Sequence, residues 1–98
     1  MSYRVRFRAD AAADVRAAYH WYEAQRPGLG QEFEQVLDAD LALLREAPQA
    51  FPVVLRDVRR LLLRRFPYAL YFRLTDEGIS VVGVLHLRQH PRRWRRRT

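Results

Sequence analysis

Residues 68–87 read YALYFRLTDEGISVVGVLHL, and this stretch decides the fold. Apolar side chains recur at every second position of 68–74, which is the period of a strand with one buried face. The next four residues, 75–78, predict a tight turn in which Gly78 can take a positive φ. The run 79–87 is apolar on both faces, so we expect this last strand to lie inside a sheet that is covered on each side. Alternation places Val82, Val84, His86 and Arg88 on one of its faces.

The chain upstream of this stretch predicts a strand, two helices and further extended segments. Residues 3–7 alternate as a short strand, and Asp10 is a candidate N-cap for a first helix that Pro27 and Gly28 end. A second amphipathic helix runs from Leu29 until Pro48 stops its pattern. Beyond it, 51–55 is a brief extended candidate, 59–66 is rich in Leu and Arg, and Pro67 predicts a break or bulge.

This order of elements predicts an α+β fold. It comprises an N-terminal strand, a helical hairpin and then a three- to four-stranded antiparallel sheet, with the hairpin packed on one face. A chain of 98 residues without repeats or linkers is expected to form a single domain spanning residues 1–98.

Composition and charge exclude several kinds of chemistry. The net charge is +7, and it is divided unequally, with −2 on residues 1–50 and +9 on residues 51–98. Such a field favours an anionic partner, either a nucleic acid or an acidic protein segment. All basic residues are Arg, a bias that a GC-rich genome also produces, so no lysine is available as an acid, base or Schiff-base nucleophile. The absence of Cys excludes disulfides and thiolate metal sites. With no apolar leader and no apolar run of membrane length, we expect a cytoplasmic protein without membrane contact.

The polar residues at the end of the last strand are the first candidate site. His86 and His90 could supply an acid and a base, while Arg65 and Arg88 could hold a phosphate. The alternative is structural: His86 is a satisfied histidine at a sheet edge and His90 is a loop residue. No nearby carboxylate completes a metal-ligand set with the two histidines, so a metal site is rejected.

Aromatic residues outside the apolar pattern are the second candidate. Trp94 stands among the arginines of the tail and could stack on a base, or the tail could be a frayed terminus; we expect Trp94 to be docked and the residues after it to be mobile. Trp21 lies off the apolar stripe of the first helix, which predicts an exposed ring available to a partner.

Three stretches together resemble the RelE/ParE superfamily of bacterial toxins over nearly the whole chain. They are DVRAAYHWYEAQRPGLGQEF at 14–33, RRLLLRRFPYALYFRL at 59–74 and VVGVLHLRQHPRRW at 81–94. The pieces Arg65-Phe66-Pro67-Tyr68 and His86-x-Arg88-x-x-Pro91-x-x-Trp94 are similar to the ParE-like, plasmid-stabilisation branch.

The resemblance implies a toxin of a type II toxin–antitoxin system. Members resembling RelE cut mRNA on the ribosome with basic residues and a terminal Tyr, and the resemblance places Arg65 and Arg88 at phosphate-contacting positions. Trp94 falls where that Tyr would be, and an indole cannot transfer a proton as a phenol does. Members resembling ParE poison DNA gyrase by binding.

We therefore expect a non-enzymatic toxin that inhibits gyrase and is neutralised by its antitoxin. The alternatives are a ribosome-dependent mRNA endonuclease using Arg65, His86, Arg88 and His90, or a degenerate member that only binds a partner. No cofactor and no metal is expected. The antitoxin is expected to be acidic and partly disordered, to lay a helix or strand along the groove between sheet and hairpin, and to allow a higher-order assembly. The residues expected to bind the target or the antitoxin are Trp21, Arg64, Arg65, Tyr68, Arg73, His86, Arg88 and Trp94.

Overall fold

The computed structural model describes residues 2–89 and Arg97. Its elements confirm the predicted α+β fold and the order strand, helix, helix, strands. They are β1 (Val5–Phe7), α1 (Ala9–Gln25), α2 (Leu29–Glu46), a 3₁₀ turn (Pro48–Ala50), β2 (Val53–Leu55), β3 (Val58–Leu62), β4 (Tyr68–Thr75) and β5 (Gly78–His86). No helix in these described residues has both the length and the apolar character needed to cross a membrane.

The sheet has one strand more than the predicted antiparallel sheet. The strand order is β1-β5-β4-β3-β2, and the four strands β2 to β5 are antiparallel neighbours as predicted. The N-terminal strand β1 joins them by pairing parallel to β5, with Phe7 opposite Val81. The sheet is mixed because the chain between β1 and β5 crosses through the helical hairpin, and such a crossover permits parallel pairing.

The helices end near the glycine and prolines that the sequence analysis names, but the start of α1 differs from the prediction. The prediction that Asp10 caps α1 is wrong: Arg8 occupies the N-cap position in an extended conformation, and no side chain caps this helix end. Asp10 lies instead in the first turn, where the positive end of the helix dipole favours a carboxylate. Gly28 precedes α2 at φ +91°. A Cβ on Gly30 would lie 2.7 Å from the carbonyl oxygen of Tyr19, so a glycine there lets the two helices approach closely.

The main core lies between the helical hairpin and one face of the sheet. Its fully buried side chains include Phe33, Leu44, Leu70, Phe72 and Val81. Each contributes roughly 1.5–3 kcal/mol relative to an exposed position. A smaller buried cluster occupies the opposite face of the sheet and consists of Val58, Ala69, Tyr71, Val82 and Leu85. The prediction that β5 is an interior strand with buried residues on both faces is therefore confirmed.

The predicted face assignment of β5 is wrong in its first half. Val81 and Val84 both contact the core under the helices, whereas Val82 belongs to the cluster on the other face. The register explains this, because Tyr71 pairs with Gly83 and Phe72 pairs with Val81, which leaves Val82 as an extra residue. A bulge of this kind reverses the facing of every residue on one side of it, and simple alternation does not foresee it.

Candidate functional site

A groove of about 410 Å³ runs between α1 and the end of β5. Three residues that the sequence predicts as binding residues, Trp21, Tyr68 and His86, lie together in its lining. The rest of the lining consists of Asp14, Ala17, Ala18, Val84, Leu85 and Gln89. The ring of Trp21 is 58% exposed, which confirms the expectation that it is available at the surface.

The aromatic end of the groove is made by β4 and β5. Tyr68 and His86 are directly opposite residues of the two strands, and their rings meet edge to face with centroids 5.3 Å apart. Burial raises the pKa of the Tyr68 phenol, and Tyr22 and Asp14 raise it further. Since an unperturbed Tyr already titrates near 10, Tyr68 keeps its proton at neutral pH and cannot act as a base.

His86 is held by local hydrogen bonds. Its Nδ1 accepts the backbone N–H of Arg88 at 3.0 Å, and its own backbone N–H donates to Oε1 of Gln89 at 2.8 Å. An Nδ1 atom that accepts a hydrogen bond leaves the proton of the neutral ring on Nε2. This geometry fits the structural interpretation of His86 at a sheet edge better than the acid–base interpretation.

The hydrogen-bond partners on the edge of β5 beside α1 change along the strand. Up to Val81 it is paired with the backbone of β1, but α1 begins directly after β1 and takes the chain away. Over Val82–His86, which we call the open edge, side chains satisfy backbone groups instead. The N–H of Val84 donates to Oδ2 of Asp14 at 3.0 Å, and the carbonyl of Val82 accepts from Nη1 of Arg97 at 3.2 Å.

Arg97 forms an ion pair with Asp14 of α1. Nη1 of Arg97 lies 2.6 Å from Oδ2 of Asp14, and the two side chains are 14% and 9% exposed. The hydrogen bond that Arg97 donates to Asp14 raises the pKa of Arg97 further above its ordinary value. The expectation that every residue after Trp94 is mobile is therefore wrong at Arg97. His90 and Trp94, which the sequence also predicts as site residues, lie outside the described residues.

The segment 63–67, which we call the arginine loop, lies beside the groove and is fastened to α2. Asp40, a buried carboxylate, accepts the backbone N–H of Arg64 at 3.2 Å and its Nε at 2.9 Å. Arg65, at φ +67°, donates to Glu32 at 2.9 Å. Hydrogen bonds from Arg65 and then Arg26 lower the pKa of Glu32.

The sequence predicts that Arg65 and Arg88 hold a phosphate together and that Arg73 is one of the binding residues. Arg65 and Arg88 extend from the same end of the sheet, where the N–H of Leu87 donates to the carbonyl of Pro67 at 2.8 Å, but Arg65 is bonded to a carboxylate of α2. Arg73 pairs across strands with Val58 and Ser80 and binds Asp57 at 3.0 Å, which lowers the pKa of that carboxyl. It lies five residues along β4 from Tyr68, or roughly 16 Å. Arg73 is thus remote from the groove.

Three residues that fix the edge of the groove or the arginine loop were not expected from the sequence. Asp14 and Arg97 are 83 positions apart, and Asp40 contacts Arg64 across 24 positions. The only local signal was a polar residue, Asp40, within the pattern of an amphipathic helix. Within residues 2–89 and 97 no group of three or more His, Asp or Glu residues is arranged to hold a metal ion.

Comparisons with known proteins agree with this architecture. The chain is 28% identical over 92 residues to Toxin ParE2 of Mycobacterium tuberculosis, in strains H37Rv and CDC 1551; the match covers 93% of this chain and 88% of the relative. A solved chromosomal ParDE system from P. aeruginosa superposes with a TM-score of 0.77 at 22% identity, over 87% of this chain and 96% of that one. The toxin–antitoxin complex RelBE2 from M. tuberculosis gives a TM-score of 0.56 at 22% identity, over 88% and 99% of the two chains. At these identities the solved structures support the fold alone.

The family model settles the assignment. The model that describes the ParE toxin of the type II toxin–antitoxin system parDE matches residues 5–91, which include both helices and all five strands. The chain therefore belongs to the ParE toxin family of type II toxin–antitoxin systems.

Proposed function

We propose that this toxin acts by binding DNA gyrase and inhibiting it, without chemistry of its own. The observation that carries the proposal is the state of the polar groups in the groove. Asp14 is paired with Arg97, Nδ1 of His86 is occupied by a backbone N–H, and burial keeps Tyr68 protonated. A general base needs a free acceptor within reach of a substrate proton, and these described groups offer none. Membership of the ParE family supports the same target.

The second candidate is an mRNA endonuclease, favoured by the position of three polar residues. His86 is the last residue of β5, Arg88 lies two residues beyond it, and Arg65 lies at the same end of the sheet. Arg65 would have to leave Glu32 to hold a phosphate, and arginine hardly ever gives up its proton. Binding without chemistry is the better fit to this geometry. A degenerate member that only binds a partner would show neither activity.

A supercoiling assay with purified gyrase tests the proposal. We expect the full-length toxin to block supercoiling and added antitoxin to restore it. Two exposed side chains offer a matched pair of variants: Trp21 in the groove is 58% exposed, and Leu43 on α2 is 57% exposed. If the groove contacts gyrase, Trp21→Ala weakens inhibition by roughly tenfold, the usual scale for an aromatic anchor. Leu43→Ala leaves it within about twofold.

Two results would refute the gyrase proposal. Full supercoiling at a large excess of folded toxin would remove it, and cleavage of mRNA on programmed ribosomes would replace it by the endonuclease. In the second case His86→Ala and Arg88→Ala identify the residues involved. Gyrase inhibition also requires the toxin to work in the cytoplasm.

We further propose that a cognate acidic antitoxin neutralises the toxin. The net charge of +7 and the sequence pI of about 11.0 favour an anionic partner. The solved proteins that share the fold are described as a ParDE system and a RelBE2 toxin–antitoxin complex. Because salt screens such attraction, the affinity should fall as the salt concentration rises, and a flat titration would exclude electrostatic attraction as the driver.

A further inference from the structure

Helix α2 carries a second seam besides the one that faces the core. Its core-facing residues include Phe33, Leu37 and Leu44, which are buried. On an adjacent flank, five residues follow one another at alternating spacings of four and three, which is the spacing with which one helix packs along another. We call these five residues the α2 seam: Glu32, Val36, Ala39, Leu43 and Glu46.

The apolar middle of the α2 seam lies at the surface. Leu43 is 57% exposed, Ala39 is exposed and Val36 is only partly buried. Val36 and Ala39 also line a depression of about 340 Å³ that reaches the arginine loop. The seam therefore offers both an apolar knob and a hole that could receive one. The described C-terminal residues Gln89 and Arg97 lie at α1, the other helix of the hairpin.

We propose that two copies of the toxin associate through the α2 seam, with the two α2 helices antiparallel about a twofold axis near Ala39. This arrangement sets Leu43 of each copy opposite Val36 of the other, beside the depression. A twofold contact needs one self-complementary patch, and the seam supplies both halves. The association depends neither on gyrase nor on the antitoxin, and the groove lined by Trp21 lies at α1, outside this contact.

Charge selects the antiparallel orientation. At one end of the seam, Arg26 and Arg65 both bind the carboxylate of Glu32 at 2.9 Å, which leaves an excess of positive charge. At the other end, Glu46 is exposed and has no hydrogen-bond or ion-pair partner within residues 2–89 and 97. Antiparallel helices bring Glu46 of each copy to the Arg65 end of the other, whereas parallel helices place like charges together.

The fold lowers the cost of the association. Helix α2, of 18 residues, is already held by the core, so no helix has to form when two copies meet. Ala39, at the axis, has no side chain beyond Cβ, which lets the two backbones approach closely. Preformed helices and a small residue at the crossing make a short seam sufficient for a weak dimer.

Sedimentation velocity on the full-length toxin over a range of concentrations tests the self-association. We expect a concentration-dependent dimer, and a toxin that stays monomeric up to about 100 μM would overturn the proposal. Leu43→Glu should weaken the dimer by roughly tenfold or more, because a carboxylate would lose water in an apolar contact. Leu62→Glu is the matched control at a leucine of β3 that is 55% exposed, and it should leave the affinity within about twofold. Equal effects of the two changes would also overturn the proposal.

A charge exchange tests the antiparallel orientation. Within one copy, Glu46 lies roughly 21 Å along α2 from Glu32, the partner of Arg65, so Glu46 and Arg65 do not meet. Glu46→Arg and Arg65→Glu should each weaken the dimer by about fivefold, and the double variant should recover the wild-type affinity within about twofold. Unchanged affinity of the single variants, or weakening without recovery, would overturn the antiparallel arrangement.

A thiol at the axis gives an independent geometric test. The chain has no cysteine, so Ala39→Cys introduces a single thiol, and Ala13→Cys places one at an exposed position of α1 as the control. Under mild oxidation, Ala39→Cys should form a disulfide-linked dimer at least about tenfold faster than Ala13→Cys, because only the first thiol meets its own copy at the axis. Circular dichroism checks that every variant is folded. Equal rates of cross-linking in folded variants would overturn the proposal.

Discussion

The edge of β5 that faces away from β4 is held by different kinds of hydrogen bond at its two ends. At the turn end, β1 supplies backbone partners to β5, with the N–H of Ile79 donating to the carbonyl of Arg4 at 2.8 Å. At the groove end, beyond Val81, side chains supply the partners of this edge, and carboxylates of α2 hold the arginine loop beside it. Backbone pairing cannot be exchanged without unfolding the strand, whereas a side-chain partner can rotate away. The difference makes the turn end structural and the groove end suited to binding.

The largest expected effect comes from disrupting the backbone-paired end at Gly78. This residue has φ +127°, and an added Cβ would lie 2.5 Å from the carbonyl oxygen of Arg4. Gly78→Ala should lower the free energy of unfolding by about 3 kcal/mol, measured by urea denaturation. Gly28→Ala is the control, since Gly28 has φ +91° with nothing within 4 Å of the added Cβ. It should cost about 1 kcal/mol, and equal costs would mean that the contact with β1 is unimportant.

At the groove end, Asp14→Ala removes the partner of both Val84 and Arg97. We expect the free energy of unfolding to fall by about 2 kcal/mol, because a buried N–H and a nearly buried guanidinium lose their acceptor. Asp10→Ala is the matched control on the same helix, as Asp10 is 56% exposed and lies 3.5 Å from Arg97. A cost for Asp10→Ala as large as that for Asp14→Ala would argue against a specific role of Asp14 at the open edge.

A smaller effect is expected where α2 holds the arginine loop. Asp40→Asn preserves the shape of a side chain that is 3% exposed but replaces one acceptor oxygen by a donor. We predict a loss of about 1 kcal/mol in thermal or urea unfolding, since Arg64 keeps only one of its two bonds. Asp38→Asn, at an exposed position of the same helix, should be neutral. A neutral Asp40→Asn would show that the loop does not depend on this carboxylate.

The smallest expected effect is the loss at acid pH of the stability that Glu32 contributes. Arg65 and Arg26 lower its pKa below the ordinary 4.5, so its contribution to stability is present above pH 4.5 and is lost as the pH falls through the lower folded value. The contribution is small because the pair is solvent-exposed. Urea midpoints should therefore be slightly higher for the wild type than for Glu32→Gln at pH 7 and equal at pH 3. A difference that grows in acid would have the wrong sign for this account.

The parts of the fold predicted from sequence are those set by local patterns. The alternation of apolar residues along 68–74 predicted β4. The residue types at 75–78 predicted the turn with Gly78 at positive φ. Pro27-Gly28 and Pro48 marked the ends of the two helices. These features depend on neighbours within a few residues, which a single sequence displays directly.

The features that escaped prediction depend on pairing between distant residues. The bulge at Val82 exists because of the register with β4, and the parallel pairing of β1 depends on the whole crossover. In the groove, the exposure of Trp21 was predictable from its helical position, whereas the ion pair between Asp14 and Arg97 was not. Many arginines could have paired with Asp14, and no local signal distinguishes Arg97 from the others.

Amide hydrogen exchange in the free toxin tests the contrast between the two ends most directly. The N–H groups of Ile79 and Arg8 bond to backbone carbonyls, and those of Val84 and His86 bond to side chains. We predict that Val84 and His86 exchange by local opening at least about 100-fold faster than Ile79 and Arg8, which exchange only with global unfolding. Equal protection of all four amides would contradict the account, because the open edge would then be as permanently paired as the rest of β5.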